Sequence, residues 1–100
     1  MVEVINLRTC KDWGKPGDIK IGRPSKWGNP FVMQNESQRD LVCDQYKIWL
    51  DKQLQFKILK LDDLRQAKRL GCYCSPKRCH GDYLKELLER NNSHQQSLNL

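Results

Sequence analysis

LGCYCSPKRCHGDYLKELL, residues 70–88, is the part of the chain around which the rest is organised. Leu70 to Cys74 is a short apolar run typical of a β-strand. Ser75-Pro76 ends this strand, because proline lacks a backbone donor and disfavours helical angles in the residue before it. After the loop, a helix is predicted by apolar side chains at helical spacing: Tyr83, Leu84, Leu87 and Leu88. The segment is therefore a strand, a loop and a helix.

The same segment concentrates chemically reactive side chains. Three of the five cysteines and one of the two histidines lie within nine consecutive positions: Cys72, Cys74, Cys79 and His80. Alternate residues of a strand share a face, so Cys72 and Cys74 are expected side by side. Cys79 and His80 are expected at a helix N-terminus, where free amides and the helix dipole lower a thiol's pKa and attract anions.

Two chemistries fit this cluster, and a purely structural alternative stands beside them. In the first, a zinc site is formed by thiolate and imidazole ligands, from Cys72, Cys74, Cys79 and His80. In the second, Cys79 is a thiolate nucleophile, His80 is its acid/base partner or orienting group, and Asp82 fixes the histidine or handles a proton. In the alternative, the cysteines are small buried residues and His80 caps the helix.

Composition limits the class of protein. The chain has 100 residues, of which 38% are hydrophobic and 30% charged, which is typical of one small globular domain. We expect a single domain over residues 1–90, followed by a polar, disordered tail at 91–100. The N-terminus has no signal-peptide pattern and no apolar run is long enough for a bilayer, so a cytoplasmic protein without a membrane partner is expected. Five cysteines without such a signal favour free thiols or metal ligands over disulfides.

The first third of the chain predicts two strands and a shaped loop. Residues 2–7 and 19–21 have the pattern of strands and are expected to pair with each other. The loop that follows, GRPSKWGNPF at 22–31, is too rich in glycine and proline for regular structure. This loop can offer hydrogen-bond donors and an aromatic ring to a ligand, and Arg8 at the end of the first strand can reach an anion. The predicted substrate-binding residues are therefore Arg8, Arg23, Ser25, Lys26, Trp27 and Asn29. The alternative is a rigid turn with Trp27 and Phe31 in the core.

The middle of the chain predicts helices. Residues 37–53 form an amphipathic helix, whose buried stripe is Leu41, Val42, Tyr46, Trp49 and Leu50. Residues 55–64 then predict a second helical piece or a bent continuation. The fold class is therefore α/β, with a three- to four-stranded sheet packed against two or three helices. The loop at 22–31 and the cysteine cluster are expected to meet at the strand ends, where open α/β sheets bind ligands.

Three segments together resemble a known family: IGRPSKWGNPF at 21–31, YKIWL at 46–50 and LGCYCSPKRCHGDYL at 70–84. They are similar to the phage and bacterial family called domain of unknown function 4326, over nearly all of residues 2–88. The family's occurrence in phages, and a proposed link of some members to nucleobase modification, imply a nucleotide, nucleobase or nucleic acid as the chemical setting. A phage-encoded member would act in the host cytoplasm.

Three functions are compatible with these patterns. The first is a small enzyme acting on a nucleotide, nucleobase or nucleic acid, in which Cys79 or a bound metal does the chemistry. The second is a phage accessory protein that binds and modulates a host enzyme, with the cysteine cluster as a structural zinc site. The third is a nucleic-acid binding module, which the formal net charge of +6 permits, although the basic residues form no dense arm.

Overall fold

Three short parallel strands form the sheet, in the order β1-β3-β2. In the computed structural model these are β1 (Glu3–Asn6), β2 (Asp18–Lys20) and β3 (Arg69–Cys72). The structure describes residues 2–98, with side chains described up to residue 90. Together with two helices the sheet makes one α/β domain, as the sequence predicts.

The predicted pairing of the first two strands is wrong. Both β1 and β2 pair in parallel with β3, so that Glu3 and Asp18 each lie opposite Arg69. The central strand of a parallel sheet is covered on both faces and therefore needs continuous apolar character. Of the three strands, β3 meets that requirement best, since Leu70 and Cys72 are fully buried.

The first helix, α1 (Arg39–Gln55), carries the chain across from β2 to β3. A short 3-10 turn at Glu36–Gln38 precedes it, and the Asn35 side chain caps that turn by accepting a hydrogen bond from the Ser37 amide. The helix buries one stripe into the core, namely Val42, Cys43, Tyr46 and Leu50. Leu41, predicted to lie in this stripe, is 55% exposed instead.

The predicted second helical piece at 55–64 is mostly a turn. The α1 helix ends at Gln55, and Lys57 adopts a left-handed backbone conformation with a φ of 60°. Such a residue cannot continue a right-handed helix. Only a 3-10 turn at Leu61–Leu64 follows before the chain enters β3.

The second helix, α2 (His80–Leu98), packs on β1, β3 and α1. The sequence predicts a disordered tail from residue 91, whereas the helix continues to Leu98. Residues 91–98 contain no glycine or proline that would end a helix. Residues 99 and 100 lie outside the described part of the chain.

The core lies between α2, α1 and the sheet, and its largest fully buried side chains come from all of these elements: Tyr46, Ile21, Leu50, Leu64, Leu70, Leu84 and Cys72. Gly81 allows α2 to approach the sheet closely, since a Cβ atom there would lie 2.7 Å from Ile21 Cδ1 and 3.1 Å from Val4 Cγ1. Within residues 2–98, neither helix has the length and apolar character needed to cross a membrane.

Candidate functional site

A cavity of about 130 Å³ opens where the chain leaves β2 and β3. Both strands are parallel, so their carboxyl ends lie at the same edge of the sheet, and the first turn of α2 lies beside them. This edge is the usual ligand position in open α/β sheets. The cavity is lined by residues of the 22–31 loop, α1 and the cysteine segment: Gly22, Arg23, Asn29, Phe31, Met33, Arg39, Val42, Cys43, Tyr73, Cys74, Arg78, Cys79 and His80.

Two of the four clustered residues meet directly. The Sγ atoms of Cys72 and Cys79 lie 3.4 Å apart, and the Cys79 thiol donates a hydrogen bond to Cys72. The backbone N–H of Gly81 donates to Cys79 Sγ at 3.3 Å. Cys72 is fully buried behind Cys79, and only Cys79 of the pair lines the cavity.

This contact changes the acidity of both thiols. The hydrogen bond from Cys79, which outweighs burial, lowers the pKa of Cys72 to about 6, and backbone amides of Cys74 and Ser75 add to the effect. The same contact and burial raise the pKa of Cys79. A negative charge on one sulfur opposes a second charge on the other, so the pair carries a single thiolate around neutral pH.

His80 is held away from the cysteine sulfurs. Its Nε2 lies 2.8 Å from the backbone oxygen of Ile21, and because a carbonyl can only accept, Nε2 carries the proton and donates. Burial lowers the pKa of the imidazole, which also packs edge-on against the Tyr46 ring at 4.9 Å. His80 therefore fastens the start of α2 to the end of β2 in its neutral form.

Asp82 serves the helix terminus. Its carboxylate accepts a hydrogen bond from the backbone N–H of Cys79 at 3.1 Å, the reciprocal contact of a capping box. It does not line the cavity at the strand ends but a second, neighbouring depression with Lys47 and Glu86. The predicted contact of Asp82 with the histidine is replaced by this cap.

The four predicted zinc ligands do not converge. Cys74 lines the cavity beside the guanidinium of Arg39. Glu36 and, to a smaller extent, Cys74 raise the pKa of this guanidinium. The His80 ring instead binds the Ile21 carbonyl. Within residues 2–98, no three or more His, Cys, Asp or Glu side chains are grouped so that they could hold a metal ion. The arrangement of these four side chains therefore does not fit a zinc site.

The 22–31 loop contributes two of its five predicted ligand-binding residues to the cavity, Arg23 and Asn29. Asn29 also fixes the loop, because its amide donates to the Val42 carbonyl at 3.1 Å and its oxygen accepts from the Phe31 amide at 2.9 Å. Arg23 is exposed at the cavity.

The other three loop residues lie elsewhere. Trp27 is 3% exposed and belongs to the core, so its ring offers no stacking surface; the Tyr46 hydroxyl donates to its carbonyl at 2.8 Å. Lys26 forms a surface salt bridge with Asp63 at 2.5 Å. The Ser25 hydroxyl oxygen is buried and has no hydrogen-bond partner among the described residues.

Sequence reasoning missed two arginines of the cavity wall. Arg39 is held by a bidentate contact with Glu36 and donates to the Arg78 carbonyl at 2.8 Å. Arg78 bridges α1 through Asp40 and Asp44. The sequence analysis singles out neither arginine, and the local signal that could have found Arg78 is its position between the clustered cysteines.

A basic surface surrounds the mouth of the cavity. Tyr73 is 40% exposed, and its ring has the Arg8 guanidinium at 5.5 Å and the Lys20 ammonium at 5.6 Å. Arg8 thus lies against Tyr73, a residue of the cavity wall, and its predicted role in binding an anion stays a prediction. Within the described part of the chain, no carboxylate forms a salt bridge with Arg8, Lys20 or Arg23. We call Arg8, Lys20, Arg23 and Tyr73 the basic rim.

The fold and the site define a small α/β domain with a thiol-bearing cavity at the carboxyl edge of a parallel sheet. The chain belongs to the family described as Domain of unknown function (DUF4326), whose model matches residues 5–90. The "Uncharacterized 12.4 kDa protein in nrdA-td intergenic region" of Enterobacteria phage T4 is 34% identical over 76 residues, which cover 73% of this chain and 68% of that protein. No solved structure matches the chain. The family predicted from the sequence is confirmed.

Proposed function

We propose that this protein binds a nucleotide at the carboxyl edge of the sheet and acts on its base through Cys79. The observation that carries the proposal is the composition of the site, in which a small cavity with apolar and thiol walls opens directly onto the basic rim. The base would enter the cavity, and the phosphate would remain outside on the rim.

The size of the cavity supports this division of the ligand. Its volume is about 130 Å³, whereas pockets that enclose a whole small-molecule ligand usually exceed about 300 Å³. A single heterocyclic ring suits this space better than a complete nucleotide. The apolar wall for such a ring is supplied by Phe31, Met33, Val42 and Tyr73.

The charges around the cavity support a phosphate position beside Arg23. Arg39 and Arg78 are already paired with Glu36, Asp40 and Asp44, so their charges are largely balanced within the protein. Arg23 lines the cavity and has no such partner among the described residues. A guanidinium binds phosphate through two parallel N–H donors, which makes Arg23 the first anchor for the ligand.

Isothermal titration calorimetry tests the proposal by comparing the affinities of nucleoside monophosphates with those of the matching nucleosides. The monophosphates should bind more tightly than the nucleosides, because only they reach the basic rim. Arg23→Ala should weaken monophosphate binding about tenfold or more, as expected for a lost charge-assisted contact, with little effect on nucleoside binding.

Lys26→Ala is the matched control, since it removes one positive charge from the same loop but away from the cavity. It should leave both affinities within about twofold of the unmodified protein. Equal losses from Arg23→Ala and Lys26→Ala, or no binding of any nucleotide, would refute the proposal.

A second candidate is supported by the position of Arg8 and Lys20. Both side chains contact the Tyr73 ring at the cavity wall and add two positive charges to that of Arg23. In this version the nucleotide is part of a single strand, held by cations and an exposed aromatic ring. A short oligonucleotide should then bind more tightly than a monophosphate, and its affinity should fall steeply as the salt concentration rises. The double variant Arg8→Ala with Lys20→Ala should reduce the oligonucleotide affinity to that of the monophosphate.

A further inference from the structure

We infer that Cys72 and Cys79 form a catalytic dyad, in which Cys79 attacks the ligand and Cys72 accepts its proton. The inference rests on the proposed function for the identity of the ligand, but its geometry stands independently of it. The two sulfurs are in contact at 3.4 Å, and they belong to different elements, β3 and the residue before α2.

The accessibility of the two sulfurs assigns their roles. Cys79 lines the cavity although it is only 3% exposed, whereas Cys72 is fully buried and does not line it. A nucleophile must touch the reacting atom, while a proton acceptor needs only to touch the nucleophile. Cys79, the residue of the pair that lines the cavity, is therefore assigned as the nucleophile.

The other candidate bases are committed elsewhere. Among the described residues, the hydrogen-bond partners of Cys79 Sγ are the Cys72 thiol group and the Gly81 amide. His80 donates a hydrogen bond from Nε2 to the Ile21 carbonyl, and the Asp82 carboxylate accepts a hydrogen bond from the Cys79 backbone N–H. Cys72 is thus the one group in contact with the sulfur that can take a proton.

The acidity of the pair agrees with this assignment. The pKa of Cys72 is lowered to about 6, so its sulfur is the thiolate at neutral pH, while the pKa of Cys79 is raised and it keeps its proton. A buried thiolate next to a protonated thiol at the cavity wall is the starting state that proton transfer within a dyad requires.

The chemical step balances without a further reactant. The Cys79 sulfur supplies the electron pair of a new C–S bond to an unsaturated carbon of the base, and the π electrons of the attacked bond move to the neighbouring atom of the ligand. The Cys79 proton passes to the Cys72 thiolate. The products are a thioether-linked adduct carrying one negative charge and a neutral Cys72 thiol, so the total charge is unchanged.

Alkylation by iodoacetamide tests the dyad without any nucleotide. The rate of carbamidomethylation at Cys79, followed by peptide mass mapping across pH, should rise as Cys72 ionises, below the ordinary thiol range, because the Cys72 thiolate takes up the Cys79 proton. In Cys72→Ser the inflection should move up towards the ordinary thiol value of about 8.5, and the rate at neutral pH should fall about tenfold or more.

Cys10→Ser is the matched control, because it removes a thiol that is not in contact with the dyad. It should leave the Cys79 profile unchanged. Circular dichroism melting shows whether Cys72→Ser folds, and the profile of the unmodified protein tests the dyad even if it does not. An ordinary thiol profile at Cys79 in the unmodified protein, or an unchanged profile in folded Cys72→Ser, would overturn the inference while leaving nucleotide binding intact. The expected shift would support the dyad even where the nucleotide titration fails.

Discussion

The imidazole Nε2 of His80 donates to the backbone carbonyl of Ile21 at 2.8 Å, which joins the first residue of α2 to the residue after β2. His80 lines the cavity, and this bond connects the start of the helix to the residue that precedes the 22–31 loop. Burial lowers the pKa of His80 and outweighs the carbonyl bond, which by itself favours the charged imidazole. Protonation of this buried histidine is therefore coupled to the stability of the fold.

This coupling predicts a pH-dependent stability. The folded-state pKa of His80 lies below the unfolded value of about 6.5, so below that pH the unfolded chain binds the additional proton and folding is penalised. The free energy of unfolding should fall between about pH 7.5 and 5 more steeply for the unmodified protein than for His80→Gln, whose amide stays neutral. Urea titrations at several pH values measure both slopes. Parallel slopes would show that His80 is not buried in its neutral form.

The contact of Gly81 with the sheet predicts a packing defect. Gly81→Val places atoms where a Cβ already lies 2.7 Å from Ile21 Cδ1, and Ile21 is fully buried and has little room to move. Overpacking of this kind costs about 1–3 kcal/mol, so the urea midpoint should fall accordingly. Glu86→Val, an exposed position on the same helix, is the matched control and should cost about 0.5 kcal/mol from helix propensity, with a small addition from its exposed salt bridge to Arg90. Equal effects would contradict the close approach.

A buried hydrogen bond between Tyr46 and the loop predicts a further loss of stability. The Tyr46 hydroxyl is fully buried, its pKa is raised by that burial, and it donates to the Trp27 carbonyl at 2.8 Å. Tyr46→Phe leaves this carbonyl without a partner, which should cost about 1–3 kcal/mol in thermal or urea unfolding. Tyr83→Phe removes a hydroxyl that bonds Asp51 at the surface and should cost less. A larger loss from Tyr83→Phe would refute the assignment.

Local signals predicted the strand, the loop and the helix of the cysteine segment. Ser75-Pro76 and the leucine spacing act within a few residues, so no tertiary information was needed. The order of the strands was not predictable in this way, because the partner of β2 lies about fifty residues further along the chain. The exposure of Leu41 likewise depends on which face of α1 meets α2.

The candidate site was predicted in part. The sequence placed Cys79, Arg23 and Asn29 together through two separate motifs that both follow strands. It could not decide whether Trp27 faces solvent or the core, since its loop allows both. Chemical roles are predicted for His80 and Asp82, whereas in the structure their side chains bind the backbone groups of Ile21 and Cys79. Hydrogen bonds between side chains and backbone leave no pattern in a sequence. Modulation of a host protein stays a prediction.

Protection of Cys79 by a bound nucleotide is the most direct measurement. A saturating nucleoside monophosphate should slow the alkylation of Cys79 by iodoacetamide about tenfold or more, since the base would cover the sulfur at the cavity wall. Cys10, a half-buried thiol outside the cavity, serves as the internal control within the same sample. The account predicts protection at Cys79 that Arg23→Ala abolishes, with an unchanged rate at Cys10. Equal rates at Cys79 with and without the nucleotide would contradict it.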